Sequence, residues 1–219
     1  GSMDTRTAAA ADGGSGDIYA DIRAHARSSG AVAKYAHENI ILAAIEETLA
    51  SQRLSRTAVA YMGALLLSLQ SASPNGPPVI AGVLVLLDRA VAAVPRQILA
   101  SKASKITAVL VGTANAHPDA APVLRPAILC VQRVLVGTGG RGSESARTYR
   151  WLLNYALHTH PKVCQMADEA ATARLRRVTL SCDGVAAGQS TAARTAGACV
   201  AIMSAITSAI SFFFWRRRV

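Results

Sequence analysis

The sequence predicts an all-α protein: a short superhelical solenoid of antiparallel helix pairs, with no sheet. Three observations carry this. Helix breakers recur along the chain, at Ser73-Pro74-Asn75-Gly76-Pro77-Pro78, Ala116-His117-Pro118-Asp119 and His160-Pro161. The stretches between them, 32–70, 79–115 and 120–159, are each long enough for two helices of ordinary length and a turn. No run alternates apolar and polar residues at the period of a strand.

The elements follow in order. Residues 17–27 (DIYADIRAHAR) read as a short helix that Asp17 can cap. Residues 32–52 read as a helix whose stripe is Tyr35, Ile40, Ile41, Ala44, Ile45 and Leu49. The next helix opens at Ser55 and runs to about Gln70, with Val59, Met62, Leu66 and Leu69 inward. Pro77 and Pro78 suit a helix start. The helix over 79–94 is apolar on nearly every side, which predicts an inner, buried position. Pro95 ends it and sits at the first turn of a helix over 96–115. Within 120–136, Pro122 fits a first turn. Pro126 costs about 3 kcal/mol in a helix interior, so the regular helix is expected to begin at or just before it, or to kink there. A glycine-rich loop, 137–142, leads to a helix over 143–159 carrying Trp151, Leu152, Tyr155 and Leu157. A last repeat helix covers 162–178, with Val163, Met166, Ala167, Ala170 and Leu175 inward. This arrangement makes three helix pairs plus one further helix, at a period of about forty residues that marks HEAT- or armadillo-type solenoids.

The ends differ in character. Gly1-Ser2-Met3 reads as a cloning scar, and 1–16 as a disordered, Ala/Gly-rich N-terminus. The helical-repeat domain is expected over 17–178 and a Gly/Ala/Ser/Thr-rich linker over 179–194. An apolar C-terminal helix with a basic end is expected over 195–219. Residues 195–215 contain no charge and end in three Phe and a Trp before Arg216, Arg217 and Arg218. That length is enough to span a bilayer, and the aromatic-then-arginine end suits an interfacial anchor. Ser204, Thr207, Ser208 and Ser211 nevertheless make one polar stripe, opposite Cys199, Met203, Ile206, Ile210 and Phe213. An amphipathic helix docked on the repeats has the same pattern, so both readings stand.

Aromatics are only 5% of a chain that is 51% apolar, so the core is built from Ala, Val, Leu and Ile. The four cysteines, Cys130, Cys164, Cys182 and Cys199, have no ligand spacing. This argues against a zinc site or a disulfide framework and for a reducing compartment. The net charge of +10 is uneven: residues 1–140 hold 12 Lys/Arg and 9 Asp/Glu, whereas 141–219 hold 11 and 4. Arg147, Arg150, Lys162, Arg174, Arg176 and Arg177 are the candidate nucleic-acid-binding residues of this basic half. A solvated face with no partner is the plain alternative.

Chemistry-bearing motifs are weak. Gly137-x-Gly139-x-x-Gly142 matches a dinucleotide fingerprint as a string, but that fingerprint works only between a strand and a helix, and here a helix precedes it. His158-x-His160 has no third ligand at a useful spacing and reads as a helix-end or surface pair. Glu46 and Glu47 diverge by about 100° on a helix and cannot act as a catalytic carboxylate pair. No nucleophile elbow is present. The chain is expected to be non-enzymatic, with no cofactor, no metal and no catalytic residue.

Four stretches carry a resemblance: HENIILAAI at 37–45, AVAAVPRQIL at 90–99, VLRPAILCVQRVL at 123–135 and YALHTHPKV at 155–163. In this order and spacing they resemble the N-terminal HEAT/armadillo-like repeat region of the ribosomal RNA-processing protein 12 family, over residues 36–178. The chain departs from the usual pattern at Cys164, where HEAT units commonly place a basic residue. Family members are also longer, which implies a fragment, a divergent form or a truncated product. The resemblance implies a nuclear and nucleolar ribosome-biogenesis scaffold that engages pre-ribosomal RNA, ribosomal proteins and nuclear transport factors. The rival expectation is a helical adaptor anchored by 195–215 at the cytosolic face of an intracellular membrane.

Overall fold

The computed structural model describes residues 17–27, 36–71, 76–138 and 143–186, with the backbone alone for 25–27, 143–145 and 174–186. Among these residues there are helices and no strand: α1 (Ala20–Arg27), α2 (Ala36–Ser51), α3 (Ala58–Ser71), α4 (Pro77–Ala93), α5 (Arg96–Ala116), α6 (Ala121–Gly137), α7 (Ser143–Tyr155) and α8 (Pro161–Ala186). Two layers result. The even helices α2, α4, α6 and α8 stack side by side, and so do α3, α5 and α7. Packing is mainly between elements one or two places apart in sequence, as in a solenoid, and α1 also reaches α4.

The pairing differs from the sequence expectation. The breakers at 73–78, 116–119 and 160–161 lie inside the hairpins, not between them. Helices α3 and α4, α5 and α6, and α7 and α8 pack closely. Consecutive helices joined by a short turn and packed side by side run antiparallel. By contrast α4 and α5 barely touch, although only Val94 and Pro95 separate them. Pro95, with φ −56° and ψ 138°, holds the chain extended and directs α5 away from α4.

Helix α4 is the inner element that its all-round apolarity predicts. Leu84, Leu86, Leu87 and Ala90 are fully buried, and a Cβ on Gly82 would come within 2.7 Å of the Ile41 Cδ1 of α2. This close approach explains a glycine in mid-helix. In α6, Val123, Leu124, Ala127, Ile128, Cys130 and Val131 are fully buried, and the Cys130 thiol donates to the Leu84 carbonyl at 3.4 Å. Burial pushes that thiol well above the usual range.

Several boundaries are corrected. Helix α6 begins at Ala121 and runs through Pro126, with Pro122 in its first turn. The bond Pro126 cannot make leaves free the carbonyl of Pro122, which is exposed and can be solvated. Helix α7 ends at Tyr155, leaving Leu157 60% exposed in the turn. Helix α8 continues to Ala186, into the stretch expected to be linker from 179. The inward face of α2 is Leu42, Ile45 and Leu49, while Ile40 is 70% exposed. Val59 of α3 is also exposed, whereas Met62, Leu66 and Leu69 are buried as expected. Residues 1–16 and the expected C-terminal helix, 195–219, lie outside the described residues, as does the second half of the expected linker, 187–194. No helix among the described residues is long and apolar enough to cross a membrane.

Candidate nucleic-acid interface

The basic surface predicted from the sequence falls on the α7–α8 hairpin. In α7, Thr148, Trp151, Leu152 and Tyr155 turn inward at helical spacing, which leaves Arg147 and Arg150 on the exposed side. The Trp151 indole donates to Asn115 Oδ1 at the end of α5, 3.2 Å away. Trp151 packs on Tyr155 with ring centroids 4.8 Å apart, and Tyr155 stacks on His158 at 5.8 Å. Burial raises the Tyr155 phenol above its usual range.

The turn after α7 is pinned in turn. The His160 amide donates to His158 Nδ1 at 3.0 Å, so the ring carries its proton on Nε2, which lies 3.0 Å from the Pro118 carbonyl. The Cys164 thiol donates to the Ala156 carbonyl at 2.9 Å. The pair His158/His160 is thus a structural fastener between the α7–α8 turn and the α5–α6 turn. Among the described residues no group of three or more His, Cys, Asp or Glu could hold a metal.

Lys162 is exposed in the first turn of α8, where a cation opposes the helix dipole. Arg147, Arg150 and Lys162 form no ion pair among the described residues. Arg174, Arg176 and Arg177 follow on α8, and Arg174 is about 18 Å along the helix from Lys162 at 1.5 Å per residue. The six residues therefore share one hairpin, but they are spread along it rather than gathered in one place. Arg147 and Arg150 are neighbours at i, i+3, whereas Lys162 stands at the turn end and the three α8 arginines near the open end.

Three further exposed cations escape a count made by halves of the sequence. Arg96, Lys102 and Lys105 lie on α5, which contains no acidic residue, and they form no ion pair among the described residues. Helix α2 offsets them in any tally, because it carries Glu38, Glu46 and Glu47 and no Lys or Arg. Counting charge helix by helix would have found them. Where other cations are paired, they serve packing. Arg133 of α6 meets Asp88 of α4 at 2.5 Å, and Arg89 of α4 meets Asp21 of α1.

The arrangement is a stack of helices with unpaired cations on its outer surface. Such a surface is suited to contact. No curated protein and no solved structure matches the chain. A family model described as "RRP12-like, N-terminal HEAT repeats" matches residues 4–209, well beyond the span 36–178 over which the sequence motifs resemble it. With hairpins stacked in two layers beneath a match of that extent, the chain belongs to the RRP12-like family, as its N-terminal HEAT repeats.

Proposed function

We propose that the chain is a non-enzymatic scaffold in ribosome biogenesis, acting in pre-ribosomal RNA processing and pre-ribosome assembly and export in the nucleus and nucleolus. It binds pre-ribosomal RNA through the cations of α7 and α8. Membership of the RRP12-like family supports the setting. The observation that carries the RNA reading is that Arg147, Arg150 and Lys162 are exposed, lack acidic partners among the described residues, and share a hairpin with Arg174, Arg176 and Arg177. Unpaired cations set on a rigid, pinned hairpin offer phosphates fixed positions at no cost in broken ion pairs. Ribosomal proteins and nuclear transport factors are the further partners of this reading.

The test is the salt dependence of binding to single-stranded RNA. Changing Arg147, Arg150 and Lys162 together to Glu should weaken binding, and the log–log salt slope should become shallower by about 2, from about 0.7 per lost phosphate contact. The same change at Arg174, Arg176 and Arg177 should act alike. Unchanged affinity and slope in both variants would overturn the reading. In cells, the tagged chain should sediment with pre-ribosomal particles and be released by RNase. Sedimentation with membranes would instead favour anchoring through 195–215.

A further inference from the structure

Helix α3 is out of character for a surface element. Its sequence, AVAYMGALLLSLQS, contains no charged residue on any face, yet Leu67 is 62% and Val59 37% exposed. A helix that is apolar all round is ordinarily covered on all sides. Helix α4 obeys that rule within the domain and α3 does not.

The position of α3 in its layer defines what its exposed side faces. Tyr61 meets Tyr19, from the segment leading into α1, with ring centroids 5.0 Å apart, so that segment occupies the Tyr61 flank of α3. Helical periodicity then puts Val59 and Gly63 on the opposite flank, toward α5, and Leu67 on the outer surface beside them. On α5, Asn115 bonds Trp151 and marks the flank toward α7. At 100° per residue Lys102 lies about 140° round α5 from Asn115, on the flank toward α3, and Lys105 about 80°, between that flank and the outer surface. The α3–α5 groove is therefore apolar on its α3 wall and cationic on its α5 wall.

The α3 wall has an unusual feature: Gly63 lies within α3, and a Cβ there would have no atom within 4 Å. Glycine weakens a helix relative to alanine, and packing within the domain gives no reason for it here. Close approach of another backbone does. Lys102 and Lys105 have no ion pair among the described residues, so the charge that would complement this groove is negative.

We propose that the groove between α3 and α5 is a docking site for an acidic amphipathic helix of a partner protein. Its apolar stripe would cover Val59, Gly63 and Leu67, and its carboxylates would meet Lys102 and Lys105. Helix α3 is about 21 Å long at 1.5 Å per residue, which gives a partner helix of three to four turns a full-length bed. A helix laid in a groove with apolar anchors at i, i+3 or i+4 and i+7 is a recurring recognition mode. This surface is distinct from the RNA-binding cations on α7 and α8.

The test is selection of 16-residue peptides from a random displayed library on the purified full chain, followed by affinities of the selected peptides. Expected are sequences rich in Asp and Glu with apolar residues at helical spacing. Leu67→Glu and the pair Lys102→Glu with Lys105→Glu should each weaken them at least tenfold, with the melting temperature unchanged because these side chains are exposed. Binding to single-stranded RNA should be unaffected by Leu67→Glu. The proposal is overturned if no acidic, helically spaced sequences emerge, or if they bind the Leu67→Glu chain as well as the parent. It is equally overturned if Leu67→Glu abolishes RNA binding, which would make the groove part of the nucleic-acid surface.

Discussion

Arg53 has a φ of 54°, in the left-handed region that favours glycine. The reason is the end of α2. The Leu54 amide bonds the Leu49 carbonyl at 2.9 Å and the Arg53 amide bonds the Ala50 carbonyl at 3.0 Å, the two bonds of a Schellman cap with Arg53 at the position normally given to glycine. Arg53→Gly should stabilise the chain by about 1 kcal/mol, measured by urea denaturation, because it removes the strain of a side chain in that region. Sequence reading ended this helix within a residue of its true end but could not see the cap, since no glycine marks it. The same limit appears at Ile40, Ile41 and Leu42. Three consecutive apolar residues leave the phase of the stripe open, and only the packing of the fold turns Leu42 rather than Ile40 inward. His158 lies in the turn three residues past the end of α7, and its bond to the Pro118 carbonyl joins two turns forty residues apart in sequence.

At the level of elements, α1 is held by chemistry rather than by length. Tyr19 and Ile22 are fully buried, and the Tyr19 hydroxyl donates to the Leu86 carbonyl of α4 at 3.0 Å. Burial pushes that phenol above the usual tyrosine range. Arg23 pairs with Asp17 and Glu46, and Glu46 also accepts from the Tyr61 hydroxyl at 3.0 Å and faces Arg56 at 3.6 Å. The Arg89 hydrogen bond holds the Asp21 carboxyl below its usual value. Desolvation would raise Asp17, but hydrogen bonds from Arg23 and the Tyr19 amide leave it lowered. A carboxyl depressed in the folded state contributes stability above its unfolded value, here near 3.8, and loses it as pH falls through the folded value. Protection of the α1 amides, as the ratio of intrinsic to observed exchange rate, should therefore be high at pH 6 and fall below pH 4 before that of α4 and α6 does. Protection of α1 that persists to the global acid transition would count against this account. Helix α4 was legible as buried from its sequence because an apolar residue on every side has no place at a surface. The partner of each helix was not legible. A Pro/Gly breaker announces a turn without saying whether the flanking helices fold onto one another, as at 117–120, or diverge, as at Pro95.

For the whole molecule, α4 and α6 are the hub, since α6 packs on α4, α5 and α8. Ile128 of α6 is fully buried. Ile128→Ala should cost about 2–5 kcal/mol by loss of apolar contact and the cavity left behind. Both halves of the stack should melt earlier, in one transition followed by circular dichroism and by amide exchange in α2 and α8. Separate transitions would show that the hairpins are energetically independent. The basic balance of the chain was visible from composition, but its distribution was not: acidic α2 lies toward one end, uncharged α3 beside cationic α5, and the cations of α7 and α8 at the other. Joining α4 to α5 through only Val94 and Pro95 has a last consequence. Hairpins that meet only their neighbours act as modular spacers. Each one sets its successor off by roughly one helix-to-helix distance, about 8–10 Å. Copying the α5–α6 hairpin between existing units would move the acidic and basic ends farther apart while leaving the contacts within each hairpin intact, so the span between them is adjustable by counting repeats.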